Sequence, residues 1–102
     1  MFSLEDKTAV ITGGAGHLCS EMARGLAKMG CNIAILDNNL DRSMEVADEV
    51  KKIGMNAIAY QLDARSKANF VACAERIQSD FRSIDILING AGINAPTPFM
   101  EI

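Results

Sequence analysis

Between Ile11 and Leu26 the chain reads ITGGAGHLCSEMARGL, with Gly13, Gly14 and Gly16 clustered just after a β-branched apolar run and just before a helical pattern. Glycine allows a tight turn out of a strand and a close approach of backbone to an anion, and a helix opening there adds unpaired N–H groups and the positive end of its dipole. Read as GxGxxG, the segment supplies Gly14, Gly16 and, in the last place, Cys19, small enough for close helix–sheet packing at the cost of some helix displacement. That chemistry is the cradling of a phosphate by backbone, expected to run through Gly13, Gly16, His17 and Leu18. Further along, Asp37 closes an apolar run and is followed by Asn38, a placement from which a carboxylate can accept both hydroxyls of a ribose and repel an added phosphate. Asp63 and Ala64 close a third run, where the acid either faces the amino edge of a base or serves as the turn acid before a helix. Asn89, Gly90, Ala91 and Gly92 close a fourth, with small residues that leave room for a sugar and an amide able to tie neighbouring strand ends together.

The elements needed to bring these positions together are legible in the spacing. Apolar runs at Thr8–Thr12, Asn32–Leu36, Ala57–Leu62 and Ile84–Ile88 have the length and boundaries of buried strands. Between them, Leu18, Met22, Leu26 and Met29 recur at helical spacing before Gly30, and Met44, Ala47, Val50 and Ile53 do so before Gly54, with Asn38 and Asn39 as capping material. Ser66 can cap a third helix whose inward stripe is Phe70, Cys73, Ala74, Ile77 and Phe81. The order βαβαβαβ with helical crossovers predicts an α/β fold, a parallel sheet covered on both faces. Right-handed crossovers place the strands 3-2-1-4, the first half of a doubly wound, Rossmann-type three-layer αβα architecture. Residues 1–102 are expected to form a single, partial dinucleotide-binding domain, with ligand above the carboxyl ends of strands one and four.

Composition narrows the partners. A formal charge of -3 with scattered Lys and Arg provides no basic face for nucleic acid. The chain has no apolar run of the ~18 residues a membrane span requires, and its first residues lack a basic leader, so a cytoplasmic protein is expected. Cys19, Cys31 and Cys73 are odd in number and widely spaced in apolar surroundings, which favours buried free thiols over a metal site or disulfide.

Taken in order, TGGAGHLC at 12–19, Asp37, LDA at 62–64 and IDILINGAG at 84–92 resemble the N-terminal half of the short-chain dehydrogenase/reductase family, whose pattern is TGxxxGxG followed by NNAG. The variants GGAGHLCSEMA and NGAGINAP look most like the D-mannonate (fructuronate) oxidoreductase-like branch. Thr12, Gly13, Asn89, Ala91 and Gly92 match that pattern, whereas His17 and Cys19 replace its second and third glycines and Gly90 its second asparagine. The imidazole at 17 either crowds a pyrophosphate, swings outward to donate to it, or is simply an exposed residue of the first helical turn. The resemblance implies a nicotinamide cofactor, and Asp37, with Gly16 and Asn38 where NADP-preferring members tend to carry basic residues, favours NAD.

Hydride transfer in this family depends on a serine and a Tyr-x-x-x-Lys pair that the resemblance places after strand four. The one tyrosine, Tyr60, is followed four places on by Ala64 and is read as a core or sheet-face residue, so no catalytic residue is assigned in the chain. Two explanations stand: the N-terminal NAD-binding portion of an oxidoreductase acting on an alcohol or ketone such as a sugar acid, or a non-catalytic nucleotide-binding or interaction module. A methyl-donor nucleotide in the same crevice is disfavoured by the TGG opening with NGAG. Strand four, as an apolar sheet edge, predicts self-association through Ile84–Ile88 or the uncovered sheet face.

Overall fold

The computed structural model describes residues 5–13, 15–63, 65–81 and 83–90. Its elements run β1 (Thr8–Thr12), α1 (His17–Lys28), β2 (Asn32–Asp37), α2 (Leu40–Ile53), β3 (Ala57–Gln61), α3 (Lys67–Asp80) and β4 (Ile86–Asn89). The four strands form one parallel sheet in the order β3-β2-β1-β4, as the spacing predicts. Three strand limits differ from expectation: β2 runs on to Asp37, β3 stops at Gln61, and β4 is displaced C-terminally to Ile86–Asn89. The displacement of β4 follows from its register, which pairs Ala9 with Ile86 and Thr12 with Asn89 and so carries Asn89 into the ladder.

Alternation along each strand divides the core between two faces. Ala9, Ile11, Ile33 and Ile35 meet Ala23 and Ala27 of α1 and Val46 and Val50 of α2. On the other face Val10, Ala34, Leu36 and Tyr60 meet Cys73 and Ile77 of α3 and Phe81 just beyond it. Each wholly buried isoleucine or leucine contributes about 1.5–3 kcal/mol of hydrophobic stabilisation, so the β1–β2 pair anchors both layers.

The expected stripes of α2 and α3 do face inward at Ala47 and Val50 and at Cys73, Ile77 and Phe81, but a large residue on each, Met44 and Phe70, stays exposed, and α1 turns a different set of residues inward. In α1 the buried residues are Cys19, Ser20, Ala23 and Ala27, with Met22 and Leu26 partly buried beside them and Leu18 and Met29 exposed. In α2 they are Ser43, Val46, Ala47 and Val50, while Met44 is exposed. In α3 Cys73 and Ile77 are buried but Phe70 is exposed. Small side chains let a helix axis approach a sheet closely, and the larger residues are pushed to the rim of the contact. The buried hydroxyls are satisfied within their own helices: Ser20 Oγ donates to His17 O at 2.9 Å and Ser43 Oγ to Asn39 O at 2.9 Å.

Helix ends are set by residues suited to them. The side chains of Asn39 and Ser66 cap α2 and α3, accepting from the Arg42 and Asn69 amides at 3.1 and 3.2 Å. Gly54 closes α2 in the left-handed region, at φ 111°.

Candidate functional site

The carboxyl ends of β1, β2 and β4 converge on the glycine turn. Gly13 takes φ 69° and its N–H donates to Leu36 O at 2.7 Å, fastening the start of the turn to β2. Gly16 then forms the N-cap of α1 in extended backbone, with its N–H donating to Gly13 O at 3.1 Å. A Cβ on Gly16 would lie 3.3 Å from that same carbonyl, so the turn is tight at this point. Being glycine, the cap offers no side-chain oxygen to the first N–H groups of α1, and the first turn carries no acid. That end of the helix keeps its donors and its positive potential for an external acceptor.

His17 is the first residue of α1, and its side chain is 89% exposed with Nε2 3.6 Å from Glu21 Oε1. The imidazole thus faces outward and does not crowd the turn. Leu18 is likewise exposed on the outer side of the helix. Cys19 instead turns inward and is buried, and burial, with a smaller contribution from the Asp37 charge, raises its thiol pKa above the ordinary value.

Asp37, half-buried at the end of β2, spans the crevice: Oδ2 accepts the Ala15 N–H at 3.2 Å and Oδ1 the Asn39 N–H at 2.9 Å. The carboxylate thus ties β2 to the glycine turn and orders the step into α2, where Asn38 is exposed. The Ala15 contact was not legible in the sequence, since it joins residues 22 positions apart through the fold.

At the switch point Thr12 Oγ1 donates to Asn89 Oδ1 at 2.8 Å, and the Gly90 N–H donates to Thr12 O at 2.8 Å. Asn89 therefore ties the ends of β1 and β4, as its amide suggested. Asp63 adopts a local turn, its Oδ1 accepting Arg65 N–H at 3.0 Å and Arg65 Nε at 3.2 Å, and Arg65 holds its carboxyl below the usual carboxylate range. Asp63 thus shapes the turn before α3 through Oδ1, and Arg65 as its partner was missed although it lies only two places on. Gly14, Ala64, Ala91 and Gly92 lie outside the described residues.

Tyr60 is buried in the sheet face, donates its hydroxyl to Asp80 Oδ2 at 2.5 Å, and lies 5.3 Å beneath the Arg76 guanidinium, with its pKa raised by burial and by Asp80. A phenol so held is part of the core. All three cysteines are free and buried. Among the described residues no group of three or more His, Cys, Asp or Glu is placed to hold a metal, and no helix is long and apolar enough to cross a membrane.

Similarity to known proteins points to the same fold. The uncharacterised oxidoreductase UxuB of Bacillus subtilis (strain 168) is 40% identical over 100 residues, 98% of this chain and 36% of its own length. A protein from Haemophilus influenza assigned as a D-mannonate oxidoreductase, solved with bound NAD, superposes with TM-score 0.85 at 42% identity over 92% of this chain and 34% of its own. NAD+-bound xylitol dehydrogenase superposes at 0.82 with 28% identity, over 84% of this chain and 33% of its own. The chain thus spans about a third of the length of these relatives. The family model described as short chain dehydrogenase matches residues 7–102, and with a glycine turn, a β2 acid and a β1–β4 tie assembled at one sheet end, the chain belongs to the short-chain dehydrogenase family.

Proposed function

We propose that this chain is the NAD-binding portion of an oxidoreductase that transfers hydride between a nicotinamide cofactor and an alcohol or ketone. The observation that carries the reading is the end of α1: a glycine N-cap leaves its N–H donors unclaimed by any side chain, while Asp37 stands across the same turn. The backbone from Gly13 through Gly16 to His17 and Leu18 would hold the pyrophosphate, and Asp37 the adenosine ribose, with Asn38 beside it. Asp63 and Ala64 would border the adenine, and Asn89, Ala91 and Gly92 the nicotinamide ribose. Bound there, the nicotinamide supplies the hydride acceptor or donor; this chain's residues bind and orient it.

Asp37 supports NAD over NADP, because a second negative charge beside its carboxylate would be repelled. The sequence branch and the Haemophilus structure support a sugar acid of the D-mannonate or fructuronate kind as substrate. A cytoplasmic setting and self-association through β4 accompany this reading. Titration calorimetry of the protein with NAD and NADP is the direct test, with tighter NAD binding expected and the preference narrowing in Asp37→Ala. Absence of heat and of thermal stabilisation with either nucleotide at millimolar concentration would instead support a module that kept the fold without the cofactor.

A further inference from the structure

The two departures from the family pattern at positions 19 and 90 meet in space. Cys19 points down from the first turn of α1, buried to 4% exposure. A Cβ built on Gly90 would overlap its sulfur, far inside contact distance, and would stand 2.7 Å from the Thr12 carbonyl to which the Gly90 N–H already donates. Sulfur therefore fills the volume in which any side chain at 90 would begin. The pattern carries glycine at the first position and asparagine at the second; this chain carries cysteine and glycine, so side-chain volume has moved from one wall of the crevice to the other.

We propose that Cys19 and Gly90 are a size-exchanged positioning pair that fixes the spacing between the N-terminus of α1 and the end of β4, and through it the floor of the dinucleotide crevice. The role is steric. Cys19 is not a nucleophile here, since it is enclosed and its contact is with a backbone wall. This inference rests on the cofactor reading only for its effect on affinity; the steric coupling itself does not need a ligand. A side chain at 90 would push α1 outward or turn the thiol away, displacing the N–H groups of His17 and Leu18 that the reading above assigns to phosphate.

The test compares Gly90→Ala on two backgrounds, unchanged and Cys19→Gly, in the protein that carries this chain, with thermal midpoint and calorimetric NAD affinity as readouts. On the unchanged background Gly90→Ala should lower the midpoint by several degrees and weaken NAD by about tenfold, whereas with glycine at 19 both losses should fall to less than half, the Thr12 carbonyl accounting for the remainder. Folding of Gly90→Ala only on the Cys19→Gly background would support the pair equally. Equal losses on both backgrounds, failure to fold on both, or no loss on the unchanged background would overturn it. If the unchanged protein bound no NAD, the cofactor reading would fall together with the affinity effect, and the two thermal losses would still decide the pair.

Discussion

At the scale of single residues, side chains at the strand ends act as ties between segments distant in sequence, and two of these can be tested by removal. Thr12 is buried, and its hydroxyl donates to Asn89 Oδ1 at 2.8 Å. Thr12→Val keeps the shape and removes that hydrogen bond to the half-buried Asn89, which should cost about 0.5–1.5 kcal/mol by chemical denaturation. Asp85 makes a comparable tie at the opposite end of β4: Oδ2 accepts the Thr8 N–H at 3.0 Å and the Ser83 hydroxyl at 2.8 Å, while its own N–H donates to Thr8 O at 2.9 Å. The Thr8 and Ser83 hydrogen bonds hold its carboxyl below the ordinary value. A carboxyl depressed in the folded state contributes its stability above the unfolded pKa, near 4, and loses it as pH falls through the folded value. Asp85→Ala should therefore lower the thermal midpoint at neutral pH, and the difference from the unchanged protein should shrink progressively once pH drops below about 4. A difference independent of pH would mean that the side chain acts by packing and not as a charged acceptor.

At the scale of elements, strand and helix order was legible because apolar runs and helical spacings are punctuated by Gly30, Gly54, Asn39 and Ser66, each of which stands at or beside a helix end in the structure. What spacing misjudged was the inward face of α1 and the depth of a large residue on each of α2 and α3. Met44 and Phe70 fall on the expected stripes of α2 and α3 yet stay exposed, while Ala47, Val50, Cys73 and Ile77 are buried as expected; in α1 helix–sheet contact selects Ala23 and Ala27, because closeness of approach outweighs the area a long side chain could bury. The site divides in the same way. Its location follows from where strands end, whereas the commitments of Asp37 to Ala15 and of Asp63 to Arg65 depend on backbone geometry that composition does not carry. The two left-handed helix ends give a graded test. A Cβ at Gly54 meets nothing within 4 Å, so Gly54→Ala bears conformational strain alone and should cost about 1 kcal/mol. At Gly30, φ 98°, a Cβ would also come within 3.1 Å of Glu5 Cα, so Gly30→Ala should unfold at a lower denaturant midpoint than Gly54→Ala. The reverse order would show that the Glu5 segment yields without cost.

For the molecule as a whole, the two sheet faces are unequally covered at β4. Ile86 and Ile88 pack toward the α1 side, but Leu87, across from Val10 on the α3 side, is 63% exposed. Together with Ile84, Phe70 and Ala74 it lines an apolar groove of about 170 Å³ that reaches down to Val10 and Leu36. Among the described residues β4 is also a sheet edge, so unpaired backbone groups and apolar side chains are presented side by side. An edge of that kind recruits another strand or an apolar surface, and the burial of a leucine contributes about 1.5–3 kcal/mol to whatever covers it. The 102-residue chain expressed alone should therefore self-associate, with a light-scattering mass that rises with concentration. Leu87→Lys should shift that rise to higher concentration and, at dilutions where the chain is monomeric, leave the thermal midpoint unchanged, because the side chain it replaces faces water there and an edge lysine opposes strand pairing. A mass fixed at the monomer value over the whole concentration range would refute association through β4, and an association that Leu87→Lys leaves untouched would move it to another surface of the fold.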